Sequence, residues 1–260
     1  MTTYKICKAF TNLEPKHQIG LIVGFAFVLR LLVAWQTPYP SRDAYMYLSL
    51  AEFYHTDNLA QIADTHPWMP PLYPLVLSGL IKLSLSTENA ALIVSMVGSL
   101  IILLSAYSIT HTLTKKHHLA LLALFFVAIH RDMIEGASAI EREALYYPLI
   151  SLSLVFLIKT FQEQLKPLFI SLSFFLGGIA YTCRQEALQL VLILPIILII
   201  LYFTDKKHSK KLTLISPALI LIFFIPSLIL SQFVNESAGS KWDPLNKQRT
   251  QLLLDNLRGK

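Results

Sequence analysis

Charge is what this sequence has least of. Only 15% of its 260 residues are Asp, Glu, Lys or Arg, against about 25% in soluble domains. The apolar residues, 54% of the chain, come in long blocks rather than in alternation, so lipid is their natural solvent. Cysteine is nearly absent. Cys7 and Cys183 cannot make a disulfide framework, and the topology below puts them on opposite membrane faces. There is no Gly-rich phosphate loop, no metal-spaced His/Cys set, no Gly-x-Ser-x-Gly elbow and no soluble nucleotide-binding domain. Internal repeats and low-complexity segments are missing too. A cleavable signal peptide is not expected, because Arg30 interrupts the first apolar block and no small-residue cleavage site follows. That block reads as a signal anchor.

What the sequence has is a series of spans. Crossing about 30 Å of hydrocarbon takes roughly 20 helical residues. The blocks run Ile19–Gln36, Ala90–Thr114, His117–Ile129, Ala144–Ile158, Pro167–Cys183, Ala187–Thr204 and Leu212–Val234. The third and fourth are short and are expected to lengthen into their polar flanks. Trp68–Ile81 is uncharged but short, with Pro70, Pro71 and Pro74, and reads as a membrane-surface or re-entrant helix. The expected fold is therefore an all-α polytopic membrane protein of about seven spans. It forms one transmembrane domain over 1–234, followed by a polar outer tail, 235–260, with an amphipathic stretch from Pro244 to Arg258.

The net charge of +6 is topological and points to no nucleic acid, because the basic residues cluster between apolar blocks. With seven spans and a cytoplasmic N-terminus, the lysine clusters at Lys115–Lys116 and at Lys206, Lys207, Lys210 and Lys211 fall inside. Counting Trp68–Ile81 as a span would put both clusters outside. Only Arg42, Lys82, Arg131, Arg142 and Arg184 then remain in outer loops.

Those outer loops carry the acids. The first, 37–89, is long for a loop and holds Asp43, Glu52, Asp57 and Asp64. Its stretch Asp43–Tyr54 has apolar residues at helical spacing, as in a juxtamembrane helix. The second holds His130, Arg131, Asp132, Glu135, Glu141, Arg142 and Glu143; the third is a turn with Arg184 and Glu186. Asp43 fits an acid in a helix's first turn and also a general base for an attacking hydroxyl. His66 could contact a phosphate or cap a helix. Glu141-Arg-Glu143 is either a self-neutralising surface cluster or part of a site facing a cavity. Arg184 has the fork that suits phosphate, or closes a topological stop by pairing with Glu186. Asn235-Glu-Ser fits the short glycosylation pattern.

Several motifs, in order, resemble the GT-C superfamily of polytopic glycosyltransferases, closest to its protein mannosyltransferase-like and aminoarabinose transferase-like branch. They are Arg30; Asp43-x-Tyr45; His66-Pro-x-x-Pro-Pro-Leu-Tyr-Pro-Leu75; Glu143-Ala-Leu-Tyr-Tyr-Pro148; and Gly177-Gly-x-Ala-x-x-x-Arg184-x-Glu186. The resemblance implies transfer of a sugar from a polyprenyl-phosphate donor to a lipid or glycan acceptor at the outer face of the plasma (inner) membrane. Asp43 would be the base and Arg184 the phosphate clamp, with Glu143, Arg142, His66, Tyr45 and Glu186 around the substrates. No cofactor is implied, and a divalent metal is left open. Members of that superfamily carry more spans, so the chain is read as a minimal form, a half that pairs with a partner chain, or a truncated frame. Two other readings stand beside the enzyme. One is a transporter or flippase with Arg30, Glu141, Arg142 and Arg184 lining a pathway; the other is a non-catalytic membrane partner.

Overall fold

The computed structural model describes residue 11 and residues 13–36, 42–56, 69–162 and 166–238. Every regular element among them is helical. In chain order they are α1 (Pro15–Gln36), α2 (Arg42–His55), α3 (Leu72–Ile81), α4 (Thr87–Thr114), α5 (His117–Ile129), α6 (Arg131–Glu135), α7 (Glu143–Gln162) and α8 (Pro167–Tyr181). A 3-10 turn (Gln185–Leu188), α9 (Gln189–Thr204) and α10 (Lys206–Ala238) follow. Cys7, His66 and residues 239–260 of the expected 235–260 tail lie outside the described residues.

Five helical runs are long and apolar enough to cross a membrane: α1, α4, α7, Gln185–Thr204 and Lys206–Gln232 of α10. The expected lengthening into polar flanks occurs in α7, which reaches Gln162, but not in α5. Its 13 residues stop at Lys116 and His130, both in extended backbone, and span only about 20 Å at 1.5 Å per residue. At one end Lys115, in the left-handed region at φ 57°, breaks the chain from α4. The 15-residue α8 and the ten-residue α3 are likewise shorter than about 30 Å of hydrocarbon requires.

The chain divides into two compact units, one of Met1–Ala44 with Ala91–Ser173, the other of Tyr45–Ala90 with Phe174–Lys260. In the first, side-chain pairings give the helix directions. Gln18 meets His117 Nε2 at 2.7 Å and Arg30 meets the Ala128 carbonyl at 3.1 Å, so α1 and α5 run parallel. Arg30 also meets Ser99, and Tyr107 bonds His117, so α4 runs the other way. Ser105–Ser151 and Lys115–Gln162 pair α4 with α7 in parallel, while Ser153 bonds Ser173 and turns α8 back. Lys16, Lys115, Lys116, Lys159 and Lys166 therefore share one end of this unit, and Asp132, Glu135, Glu141 and Glu143 the other. The core between α1, α4 and α5 is Ile22, Ala26, Leu103, Leu124 and Ala128.

Prolines inside these helices have local remedies. Pro148 cannot donate to the Ala144 carbonyl, and that oxygen instead faces Gly98 of α4, where an added Cβ would collide with it. Pro217 likewise frees the Thr213 carbonyl, which accepts the Ser216 hydroxyl at 2.8 Å.

In the second unit α2 packs Leu50 and Tyr54 against Met69 and Leu75. The Tyr47 and Tyr73 rings meet edge to face at 5.3 Å, and the Thr87 hydroxyl donates to Glu52. Gly177 and Gly178 let α8 approach Phe223 of α10 closely, with Tyr181 against the same ring. Asp205 opens α10, accepting the His208 backbone N–H at 3.1 Å. The His208 side-chain hydrogen bond holds that carboxyl below its ordinary range.

Candidate functional site

Asp43 lies in the first turn of α2 with its side chain exposed. That position suits the helix dipole and leaves the carboxylate open to an incoming group. Tyr45, two residues on, is also exposed. Further along α2, burial pushes the Tyr54 phenol up to about 12, so at neutral pH it stays protonated and accepts no proton.

Arg142 and Glu143 open α7. The Arg142 Nε lies 3.7 Å from Glu143 Oε1, and each side chain is only about a quarter exposed. Arg184 sits in extended backbone after α8. Its Nη2 and Nε donate to the two oxygens of Glu186 at 2.9 and 3.2 Å. This bidentate pair is the stop-and-pair arrangement set out above. A phosphate would have to share or displace Glu186 to reach the same donors. Arg142 and Glu143 belong to the first unit, Arg184 and Glu186 to the second.

Arg30 corrects the transporter reading. Its side chain is fully buried and lines no pathway. The guanidinium donates to Ser99 Oγ at 2.5 Å, to the carbonyls of Ala26 and Ala128 at 3.1 Å each, and to Val127 at 3.4 Å. The carbonyls of Val127 and Ala128 belong to the last turn of α5, where no further helical N–H follows. A cation there also meets the negative end of the helix dipole.

Sequence reasoning did not assemble the cavity that lies on the other side of Ser99. About 570 Å³ in volume, it is enclosed by α4, α6, the 136–141 turn and α7, a size usual for a small-molecule site. Asp132, Glu141 and Glu143 line it together with Ser95, Ser99 and Ser151. The outer-loop acids were visible in the sequence. The three serines were not, except that Ser95 and Ser99 stand four apart in an otherwise apolar helix. Among the described residues no group of three or more His, Cys, Asp or Glu is arranged to hold a metal ion.

Helices of this length and apolarity, in an all-helical set among the described residues, define a polytopic membrane protein. The chain belongs to the dolichyl-phosphate-mannose-protein mannosyltransferase family, whose model matches residues 66–230. It is thus a member of a family of membrane glycosyltransferases. The matched span includes Arg142, Glu143, Arg184 and Glu186 and begins at His66; Asp43 and Tyr45 precede it. No curated protein matches the chain.

Proposed function

We propose that this protein transfers a sugar from a polyprenyl-phosphate carrier to an acceptor at the outer face of the plasma membrane. The observation that carries the reading is the family match over 66–230, because the family's own description names a lipid-phosphate-linked mannose. The charge distribution of the first unit agrees with it, with lysines at one end of the helices and acids at the other. By the positive-inside rule the lysine end is cytoplasmic. In this reading the short α5 and α8 cross a locally thinned bilayer together with α1, α4, α7, α9 and α10, while α2 and α3 lie at the membrane surface in the 37–89 loop.

Asp43 takes the proton from the acceptor hydroxyl as its oxygen bonds to the anomeric carbon. The bond from that carbon to the carrier phosphate oxygen breaks, and the phosphate leaves with both bonding electrons. Arg184 receives the developing negative charge by exchanging one of its bonds to Glu186 for a phosphate oxygen. Arg142, Glu143, His66 and Tyr45 are the candidate contacts for the sugar and the acceptor in this reading.

The test uses the full chain in lipid nanodiscs with radiolabelled polyprenyl-phosphate mannose and a mixture of envelope lipids and glycans. Transfer is expected from the wild type, and Asp43→Asn should lower it by about 10²–10⁴-fold, the usual share of a general base, with insertion unchanged. Full activity in Asp43→Asn removes the base assignment. Absence of both transfer and donor hydrolysis in the wild type removes the enzyme.

A further inference from the structure

The four lysines at the start of α10 share one face of that helix. Lys206, Lys207, Lys210 and Lys211 are all exposed and fall within an arc of about 140° at 3.6 residues per turn. The opposite side packs on α9. There Ser209 and Leu212 are buried, and the Ser209 hydroxyl reaches the Leu198 carbonyl at 3.5 Å. The lysines therefore point away from the protein. Asp205, the acid beside them, is already engaged by the backbone and ring of His208. The N-terminus of α10 adds the positive end of its dipole to the lysine charge.

The same face continues as hydrocarbon. Leu214, Leu221 and Leu228 recur every seven residues, lie inside the lysine arc and are all exposed, Leu214 at 82%. The run Lys206–Gln232 is about 40 Å long at 1.5 Å per residue, roughly 10 Å more than the hydrocarbon needs. With Gln232 at the far boundary, the lysine turns stand among headgroups at the near one. Leu214 and Leu221 then lie beneath them in the same leaflet. Tyr202 and the 79% exposed Phe203 end α9 at the lysine level, where aromatic anchors belong. The Lys206 Nζ sits 5.9 Å from the Tyr202 ring centre. A soluble acidic partner would meet only the lysines. A lipid meets the lysines and the leucines together.

We infer that this face of α10 binds an anionic phospholipid, its phosphate held by Lys206, Lys207 and Lys210 and an acyl chain lying along Leu214 and Leu221. By the positive-inside rule the lipid belongs to the cytoplasmic leaflet, the leaflet that carries anionic lipid. The lysines select the headgroup by charge. In phosphatidylcholine the choline cation offsets the phosphate, whereas in phosphatidylglycerol the phosphate stands alone. The site goes beyond the proposed transfer and does not rest on it, because binding needs no turnover.

The experiment is photolabelling of the full chain in phosphatidylcholine nanodiscs. Two probes are compared, phosphatidylglycerol and phosphatidylcholine, each with a diazirine in one acyl chain, and labelled peptides are mapped by mass spectrometry. Label on residues 214–221 should be about tenfold higher with phosphatidylglycerol, since each lysine near the surface contributes about fivefold. Lys207→Gln with Lys210→Gln should remove most of that preference, and raised chloride should weaken it by screening. Lys207→Arg with Lys210→Arg keeps the charge and should keep the preference. Lys116→Gln, at an exposed lysine of the first unit, should leave it unchanged. Thermal unfolding of each variant confirms an intact fold. Equal labelling by the two probes overturns the headgroup selection. A preference that survives in the folded double Gln variant overturns the lysines. At matched ionic strength, displacement by inorganic phosphate or polyglutamate overturns the lipid in favour of a soluble anion. Stronger competition by dodecyl phosphate than by phosphatidylglycerol overturns the phospholipid in favour of a phosphate monoester. A failure of transfer in the Asp43 experiment would leave these outcomes unchanged.

Discussion

Arg30→Met destabilises the first unit, although it removes a charge from the middle of an apolar helix. Insertion alone favours methionine, since an arginine at the centre of a spanning helix costs about 2.5–3.5 kcal/mol on insertion scales. Much of that cost is already met in the folded protein. The guanidinium is fully buried and bonds one hydroxyl and three carbonyls, on α1, α4 and α5. Methionine fills the volume but leaves the Val127 and Ala128 carbonyls without donors at a helix end, where α5 is already too short to continue. Hydrogen bonds to charged groups contribute about 1.5–3 kcal/mol each in soluble proteins, and less in membranes. A net loss of about 2–4 kcal/mol is expected, read as lower resistance to thermal and sodium dodecyl sulfate unfolding. Arg30→Lys should fall between the two, since it keeps the charge and loses the fork. An Arg30→Met protein as stable as the wild type would mean that the four bonds only offset desolvation.

The second large effect is expected at Gly178. A Cβ there would strike the Phe223 carbonyl oxygen and come within 2.9 Å of its carbonyl carbon. Backbone cannot rotate aside, so α8 and α10 must separate along their contact, and small residues are what permit such approach in membranes. Gly178→Ala should cost about 3 kcal/mol, at the upper end of overpacking. Gly177→Ala meets chiefly the Leu190 Cδ2 methyl, the end of a flexible side chain, and should cost about 1 kcal/mol. Gly24→Ala, with nothing within 4 Å, should be neutral or stabilising by a few tenths up to about 1 kcal/mol. Unfolding of the three variants in one detergent series checks the order. Equal stability of Gly177→Ala and Gly178→Ala would show that the α8–α10 contact yields easily.

Much of the helical frame was legible in the residues. Thr114-Lys115-Lys116 marked a break, and the structure ends α4 and starts α5 on either side of it. The prolines before Leu72 marked the start of a short helix, and α3 begins there. Asp43–Tyr54 was read as helical from its spacing, and α2 covers it. The miss was α5, expected to grow into its flanks. Its limit is set by the left-handed Lys115 at one end and by extended backbone at His130 at the other. Hydropathy does not register either.

The site was legible as chemistry and not as geometry. Glu143, Arg142, Arg184 and Glu186 were visible as charged groups at helix ends. That Arg184 gives two donors to Glu186 was one of two readings, and only coordinates choose between them. Arg30 stood out as a lone charge, but its partners lie 69 and 98 residues away on α4 and α5. Ser95, Ser99 and Ser151 gave no warning that they would share a wall with three acids.

The sequence by itself determined that the chain is helical, that its helices need lipid, and which helix ends carry lysines and which carry acids. Those properties are local: apolarity averaged over about twenty residues and charge counted between blocks. The tertiary structure alone decided where Arg30 places its hydrogen bonds, how closely Gly98 and Gly178 bring helices together, and that acids and serines enclose a cavity. These depend on which faces meet between segments far apart in the chain. Periodicity along one helix carries no record of the partner it will meet.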